Sequence, residues 1–200
     1  MEASITFKSV GKTIEKKVLL ANLSFGVEKG STFVLIGNNG SGKSMILKLL
    51  VGLIEKDVGS VYIHGFDIST RGLETRALCG YMPQTINLDV ELTVIENLSI
   101  YAELHGLTSK EAKKNSFHWA EILEFSHLLN QYPAKLSYGL QRKVLFARSL
   151  VHDPEVLLLD EPTIGLDPQS RNSVWNVIDK LHKNKTIIFA SQNFTEAERY

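Results

Sequence analysis

The sequence predicts an α/β fold: a parallel-sheet core, a mainly antiparallel β region at the N-terminal end, and an α-helical subdomain inserted into the core. Three observations carry this. A short, continuous apolar run, "STFVLIG", is followed at once by a glycine-rich turn and the helix "KSMILKLLVGLI". A second apolar run, "VLLLDEP", ends in two acids. Between them, from about Leu88 to Lys143, the apolar residues recur at helical spacing. Strand, glycine turn, helix and acid-terminated strand is the order of a parallel sheet that holds its ligand at the carboxyl ends of its strands.

The elements follow in sequence. "SITFKSV" and "VLLANLSFGV" alternate apolar and polar residues, as half-buried antiparallel strands do. "STFVLIG" lacks that alternation and is expected to be buried on both faces. "GSVYIHG" and "ALCGYMPQ" supply further short strands. Thr93 and Glu96 form a capping box ahead of "VIENLSIYAELHGL", and "SKEAKKNSFHWAEILEF" continues the helical period. Asp167 and Pro168 open the helix "PQSRNSVWNVIDKLH" as cap and first-turn residue. "KTIIFAS" is the last buried strand. Thr195 and Glu198 repeat the capping-box spacing, so the chain is expected to stop inside a starting helix, short of the domain's natural end. One domain is expected to span 1–200, with the α/β core at 1–87 and 144–200 and the helical subdomain at 88–143.

Bulk properties set limits. Twenty-two Lys plus Arg balance 22 Asp plus Glu, so the chain has no electrostatic reason to seek nucleic acid. The single Cys79 excludes a disulfide framework and fits a reducing cytoplasm. The histidines show no pair at metal-ligand spacing. "MEASITFKSVGK" lacks the apolar run of a signal peptide, and no stretch approaches the roughly 18 apolar residues of a membrane span.

The chemistry sits in three places. "GNNGSGKS" matches G-x-x-x-x-G-K-S/T with a strand before it and a helix after it. Gly37, Asn38, Asn39, Gly40, Ser41 and Gly42 offer backbone N–H groups to a phosphate, Lys43 reaches the β- and γ-phosphates, and Ser44 ligates Mg²⁺. The pattern is that of a phosphate-loop NTPase with a RecA-like sheet core. Asp160, at the end of the acidic strand, is placed to hold Mg²⁺ through water, and Glu161 to act as general base. Gln84, in "GYMPQ", is at another strand end, where an amide can ligate Mg²⁺ or orient the attacking water.

A second anion site is written in "LSYGLQRK". Ser137 and Gly139 stand at the start of a basic, apolar-striped helix, where unpaired N–H groups and the helix dipole point outward. Alone, this reads as a plain helix cap.

Together these pieces resemble the ATP-binding cassette family, the ATPase subunits of ABC transporters. The resemblance covers nearly the whole chain. It runs from the phosphate loop through Gln84, "LTVIENLSIYAELHGL", the signature "LSYGLQ" and "LLLDEP" to "TIGLDPQSR". The wording "EPTIGLDPQSRNSVW" looks most like the drug-exporter branch. The resemblance implies two ATPase chains, identical or related, meeting head to tail around two ATP. Ser137 and Gly139 of one would press on the γ-phosphate held by the other, with Asp167 at the seam. It also implies separate membrane-spanning subunits, docking near Gln84 to Leu107, and a place in the cytoplasm at the inner face of a membrane.

The sequence departs from the family pattern at three points. Tyr138 replaces the first glycine of Leu-Ser-Gly-Gly. Ile14 falls near the place of the adenine-stacking aromatic, and "KSVGKTIEKKVLL" contains no aromatic residue. Asn193 falls at the position of a histidine that contacts the γ-phosphate and supports the catalytic carboxylate. A donor lost there costs on the order of 10²-fold in rate. Two other readings therefore stand beside the transporter ATPase. One is a degenerate, slow or non-hydrolysing nucleotide switch; the other is a soluble ABC ATPase acting in translation or DNA maintenance.

Overall fold

A computed structural model describes residues 3–182 and 184–200. The chain falls into two compact units, the first made of 1–81, 155–161 and 182–200, the second of 82–154 and 162–181.

The first unit carries two sheets. Strands β1 (Ala3–Ile14) and β2 (Lys17–Glu28) form a long antiparallel hairpin. Its two-residue turn, Glu15 and Lys16, has φ of 48° and 67°, the left-handed pair that matches the twist of the strands it joins. β4 (Val58–Ile63) pairs with the other side of β1, and the short β5 (Phe66–Asp67) completes the order β2-β1-β4-β5. The expected N-terminal antiparallel region is this sheet.

The other sheet has the order β3-β8-β7-β6, from β3 (Thr32–Ile36), β8 (Thr186–Ser191), β7 (Val156–Asp160) and β6 (Cys79–Met82). Its β3–β8 and β7–β8 ladders are parallel, as the uninterrupted apolar runs require. β7 and β8 are buried at every position. β3 differs from expectation: its residues are only half-buried and Ile36 is 37% exposed, because β3 is an edge strand. Helix α1 (Lys43–Leu50) lies against β7 and buries Leu47, Leu49 and Leu50 completely. Side chains of this kind contribute roughly 1.5–3 kcal/mol each. Phe7, Phe25 and Phe33 stack in succession at 4.5 and 5.1 Å. Helix α2 (Gly72–Ala77) precedes β6, and α7 (Phe194–Ala197) follows β8.

The second unit is helical. α3 (Val94–Leu104) begins with the expected capping box: Glu96 N–H donates to Thr93 Oγ1, and the Glu96 carboxylate accepts from Thr93 N–H. α4 (Ser109–Ile122) has a second box of the same kind, Thr108 with Glu111. α5 (Tyr138–Arg148) packs on α3 and α4, and α6 (Pro168–Leu181) packs on α5. Among the described residues no helix is long and apolar enough to cross a membrane.

Candidate nucleotide site

Strand β3 delivers the chain into the loop 37–42, and α1 leaves it. Gly42 is the N-cap of α1 at φ 97°, a left-handed conformation that a side chain would strain. Lys43 is 9% exposed and its ammonium folds back over the loop, donating to Gly37 O at 2.6 Å and Asn38 O at 3.1 Å. That posture holds a positive charge against the backbone of the glycine-rich loop. Ser44, one residue on, donates from Oγ to Asp160 Oδ1 at 3.0 Å. The loop–helix junction and the end of β7 are thereby joined.

The pair Ser44 and Asp160 supplies two oxygen donors side by side, the kind of set a hard divalent cation takes. The phenol oxygen of Tyr81 is buried with no hydrogen-bond partner among the described residues, and Tyr81 packs on the same core cluster as α1. Burial, then the Asp160 charge, raises its pKa, so the group is a neutral hydroxyl. Hydroxyl, carboxylate and orphaned phenol together fit Mg²⁺ with part of its hydration shell. Among the described residues no cluster of three or more His, Cys, Asp or Glu offers an alternative metal site.

Glu161 follows directly and sits at φ 50°, an uncommon conformation for a residue with a side chain. Its own N–H is bonded to Ala190 O at 3.0 Å, which holds the strand end in place while the backbone turns. Backbone strain of this kind clusters at functional sites. Glu161 is 7% exposed, and burial is the largest influence on its carboxyl, raising the pKa above the usual carboxylate value. Hydrogen bonds from the side chain and backbone of Gln192, and then the charge of Lys43, oppose that rise; Asp160 adds to it.

The partner of Glu161 is thus Gln192, one residue before the position expected. Asn193 is exposed, and its Oδ1 accepts from Thr195 N–H at 3.0 Å to cap α7. Asn193, not Thr195 as the spacing to Glu198 had suggested, is the residue that caps this helix. Ser191 explains the phase: its buried Oγ bonds Glu196 at 2.7 Å and accepts from Asn193 N–H at 3.0 Å, so the turn opens immediately after β8. Gln192 then faces back toward Glu161, and its amide also bonds Asn39 Oδ1 of the phosphate loop at 2.5 Å. Counting the glutamine rather than the asparagine as the first residue beyond "FAS" was the available signal.

The signature residues lie in the second unit. Ser137 is the N-cap of α5, its Oγ accepting from Leu140 N–H at 3.3 Å. Gly139 is in the first turn, and a Cβ there would make only ordinary contact, 3.6 Å from Leu166 and 4.0 Å from Asp167 Oδ2. Asp167 caps α6 through Ser170 N–H at 3.0 Å, which lowers its pKa. Ser137, Gly139 and Asp167 are therefore gathered at neighbouring helix starts. The carbonyls of Gln84 and Pro83 are held by Arg142 of α5, a contact the sequence did not announce. Ile14 is 42% exposed at the tip of the β1–β2 hairpin.

A glycine loop wrapped on a buried lysine, joined by Ser–Asp to the end of a parallel strand, defines a nucleotide site of the phosphate-loop class. The family model for ABC transporters matches residues 20–164, and the chain belongs to that family. Nod factor export ATP-binding protein I of Burkholderia thailandensis is 41% identical over 201 residues, covering 98% of this chain and 65% of that protein. The linearmycin resistance ATP-binding protein LnrL of Bacillus subtilis is 35% identical, covering 96% of this chain and 62% of its own length. The chain thus spans only 65% and 62% of the length of these two relatives. An ATP-binding subunit of an ABC transporter superposes with a TM-score of 0.90 at 28% identity, covering 98% of this chain and 82% of the other. An ATP-binding cassette solved as a dimer in a post-hydrolysis state with ADP and Pi superposes at 0.87 with 25% identity, covering 96% and 89%.

Proposed function

We propose that the protein is the ATP-binding and ATP-hydrolysing subunit of an ABC transporter of the export type. Two chains, alike or related, would pair head to tail around two ATP, and closure would drive separate membrane subunits from the cytoplasmic face. The observation that carries this is the Ser44–Asp160–Glu161 arrangement beside the buried Lys43. The names of the two relatives, which concern export and resistance, support the export reading.

A Mg²⁺ held at this site would supply positive charge to offset that of the phosphates. Within the chain, Ser44 and Asp160 would hold the metal, with Gln84 a further ligand, and Lys43 would hold the terminal phosphates. Glu161 accepts a proton on its carboxylate from a water aligned with the γ-phosphate. Its raised pKa makes it a stronger base than an exposed glutamate, provided it is ionised at working pH. Gln192 fixes the direction of that carboxylate through an amide that does not titrate. Asn193, in this reading, shapes the turn that presents Gln192. Ser137 and Gly139, with Asp167 at the seam, would complete the site of the opposite chain.

Mg²⁺-dependent ATP turnover, with Lys43→Ala and Glu161→Gln as controls, tests this. Turnover lost in both, with nucleotide binding kept in the second, is the expected result. Undiminished turnover in Glu161→Gln would refute the assigned chemistry.

A further inference from the structure

The eleven residues from Pro83 to Thr93 join β6 to α3 without helix or strand of their own, so their backbone polar groups need partners from elsewhere. Those partners are specific. Arg142, 0% exposed, donates from Nη1 to Pro83 O at 2.9 Å and to Gln84 O at 2.6 Å. Arg148 donates from Nη1 to Asn87 O at 3.1 Å and from Nη2 to Asn87 Oδ1. The guanidinium of Arg148 also lies over the Tyr101 ring of α3 at 5.3 Å. At the far end, Asn97 of α3 accepts from Asp89 N–H at 2.8 Å and donates to the carbonyls of Asp89, Leu92 and Thr93 at 2.9–3.1 Å.

Two features distinguish the near end of this loop from ordinary packing. Both grips come from one helix, α5, at positions nearly two turns apart, so the loop lies along the helix and is held at two points. Both use guanidinium groups, whose planar fork fixes direction as well as distance. The helix that grips the loop is the one whose N-cap is Ser137.

We infer that Arg142 and Arg148 are positioning residues for Gln84: α5 grips the backbone of residues 83–87, so Gln84 moves with the helix that begins at the signature. The inference rests on the functional reading above for its consequence, but not for its geometry. When a nucleotide pulls on the first turn of α5, the displacement reaches Gln84 through two arginine contacts. A merely structural arginine would hold the unit together without setting the position of one amide.

The test compares Arg148→Ala, Arg148→Lys, Asn87→Ala and the double variant Arg148→Ala/Asn87→Ala, with Arg142→Lys as a milder probe of the buried grip. Amide hydrogen exchange at residues 84–88 is read first, and needs no turnover. The expected result is exchange about tenfold faster in Arg148→Ala, with α3 and α5 amides unchanged, because the loop opens locally rather than with the fold. Turnover is read next. Arg148→Ala is expected to lower kcat up to ~100-fold, the scale of a misplaced catalytic group. Half-saturation in Mg²⁺ should shift upward while the KM for ATP stays unchanged. Arg148→Lys should recover part of kcat, and the double variant should be no worse than the single one. Unchanged exchange at 84–88, or unchanged kcat and Mg²⁺ dependence in an active protein, overturns the inference. A wild-type protein without turnover refutes the functional reading instead, and the exchange result still decides the grip.

Discussion

The ring of Tyr138 occupies the space that any side chain at Gly165 would need: a Cβ there would lie 2.6 Å from Tyr138 Cε1. Gly165 also has φ 72°. The tyrosine that interrupts the glycine pair of the signature is thus accommodated by the glycine of "TIGLDP", and the two belong together. Gly165→Ala is expected to cost about 1–3 kcal/mol from overlap and backbone strain combined. Tyr138→Gly should relieve only the overlap, so a double-mutant cycle read by denaturant melts should show coupling of at least ~0.5 kcal/mol. Additive effects would mean the contact is not felt.

Glu161→Gln is expected to abolish turnover and to raise the melting temperature at pH 7. The folded-state pKa of Glu161 lies above its unfolded value. The stability linked to its protonation is therefore fully present below the unfolded pKa and is lost as pH rises through the folded one. At pH 7 the native state carries an unfavourably buried charge, which glutamine removes. Melting curves of both proteins from pH 7 down to about 4 should converge as Glu161 protonates. A variant that melts lower at pH 7 would contradict this.

The acid limb of kcat should belong to Glu161 and lie above the ordinary carboxylate range. Gln192 lowers that pKa by its hydrogen bonds. Gln192→Ala is therefore expected to move the limb to higher pH as well as to slow turnover. A slowed enzyme with an unmoved limb would show that the amide does not act on Glu161.

Asn97 is 5% exposed and makes four hydrogen bonds to the loop ahead of α3. Asn97→Ala removes the partner of part-buried backbone groups of Asp89 and Leu92 and should cost about 1–3 kcal/mol in chemical denaturation. A loss under about 0.5 kcal/mol, the range of an ordinary surface change, would mean that water replaces it.

Much of this was legible in the sequence, for identifiable reasons. The phosphate loop is read by its glycines and its Lys43–Ser44 ending, and the Thr93 cap by its spacing to Glu96. Both are short-range patterns whose meaning does not depend on distant partners. The β3 exposure was not legible, since whether an apolar strand lies at an edge is a fact about the sheet order. Gln192 was passed over because the turn after β8 is phased by Ser191 and Glu196, five residues apart, not by the strand itself. Arg142 and Arg148 read only as charges of a basic, apolar-striped helix; the loop folded against them reveals their work.

If two chains share each site, two variants that are each inactive should restore one another when mixed. Lys43→Ala and Ser137→Arg are prepared separately, shown to be folded and inactive, and then mixed in equal amounts. Random pairing into two-fold dimers leaves about a quarter of the sites with both an intact phosphate loop and an intact signature. Mg²⁺-dependent ATP turnover near that fraction of wild type is the expected result. A mixture as inactive as its components, despite demonstrated pairing of the two variants, would contradict it.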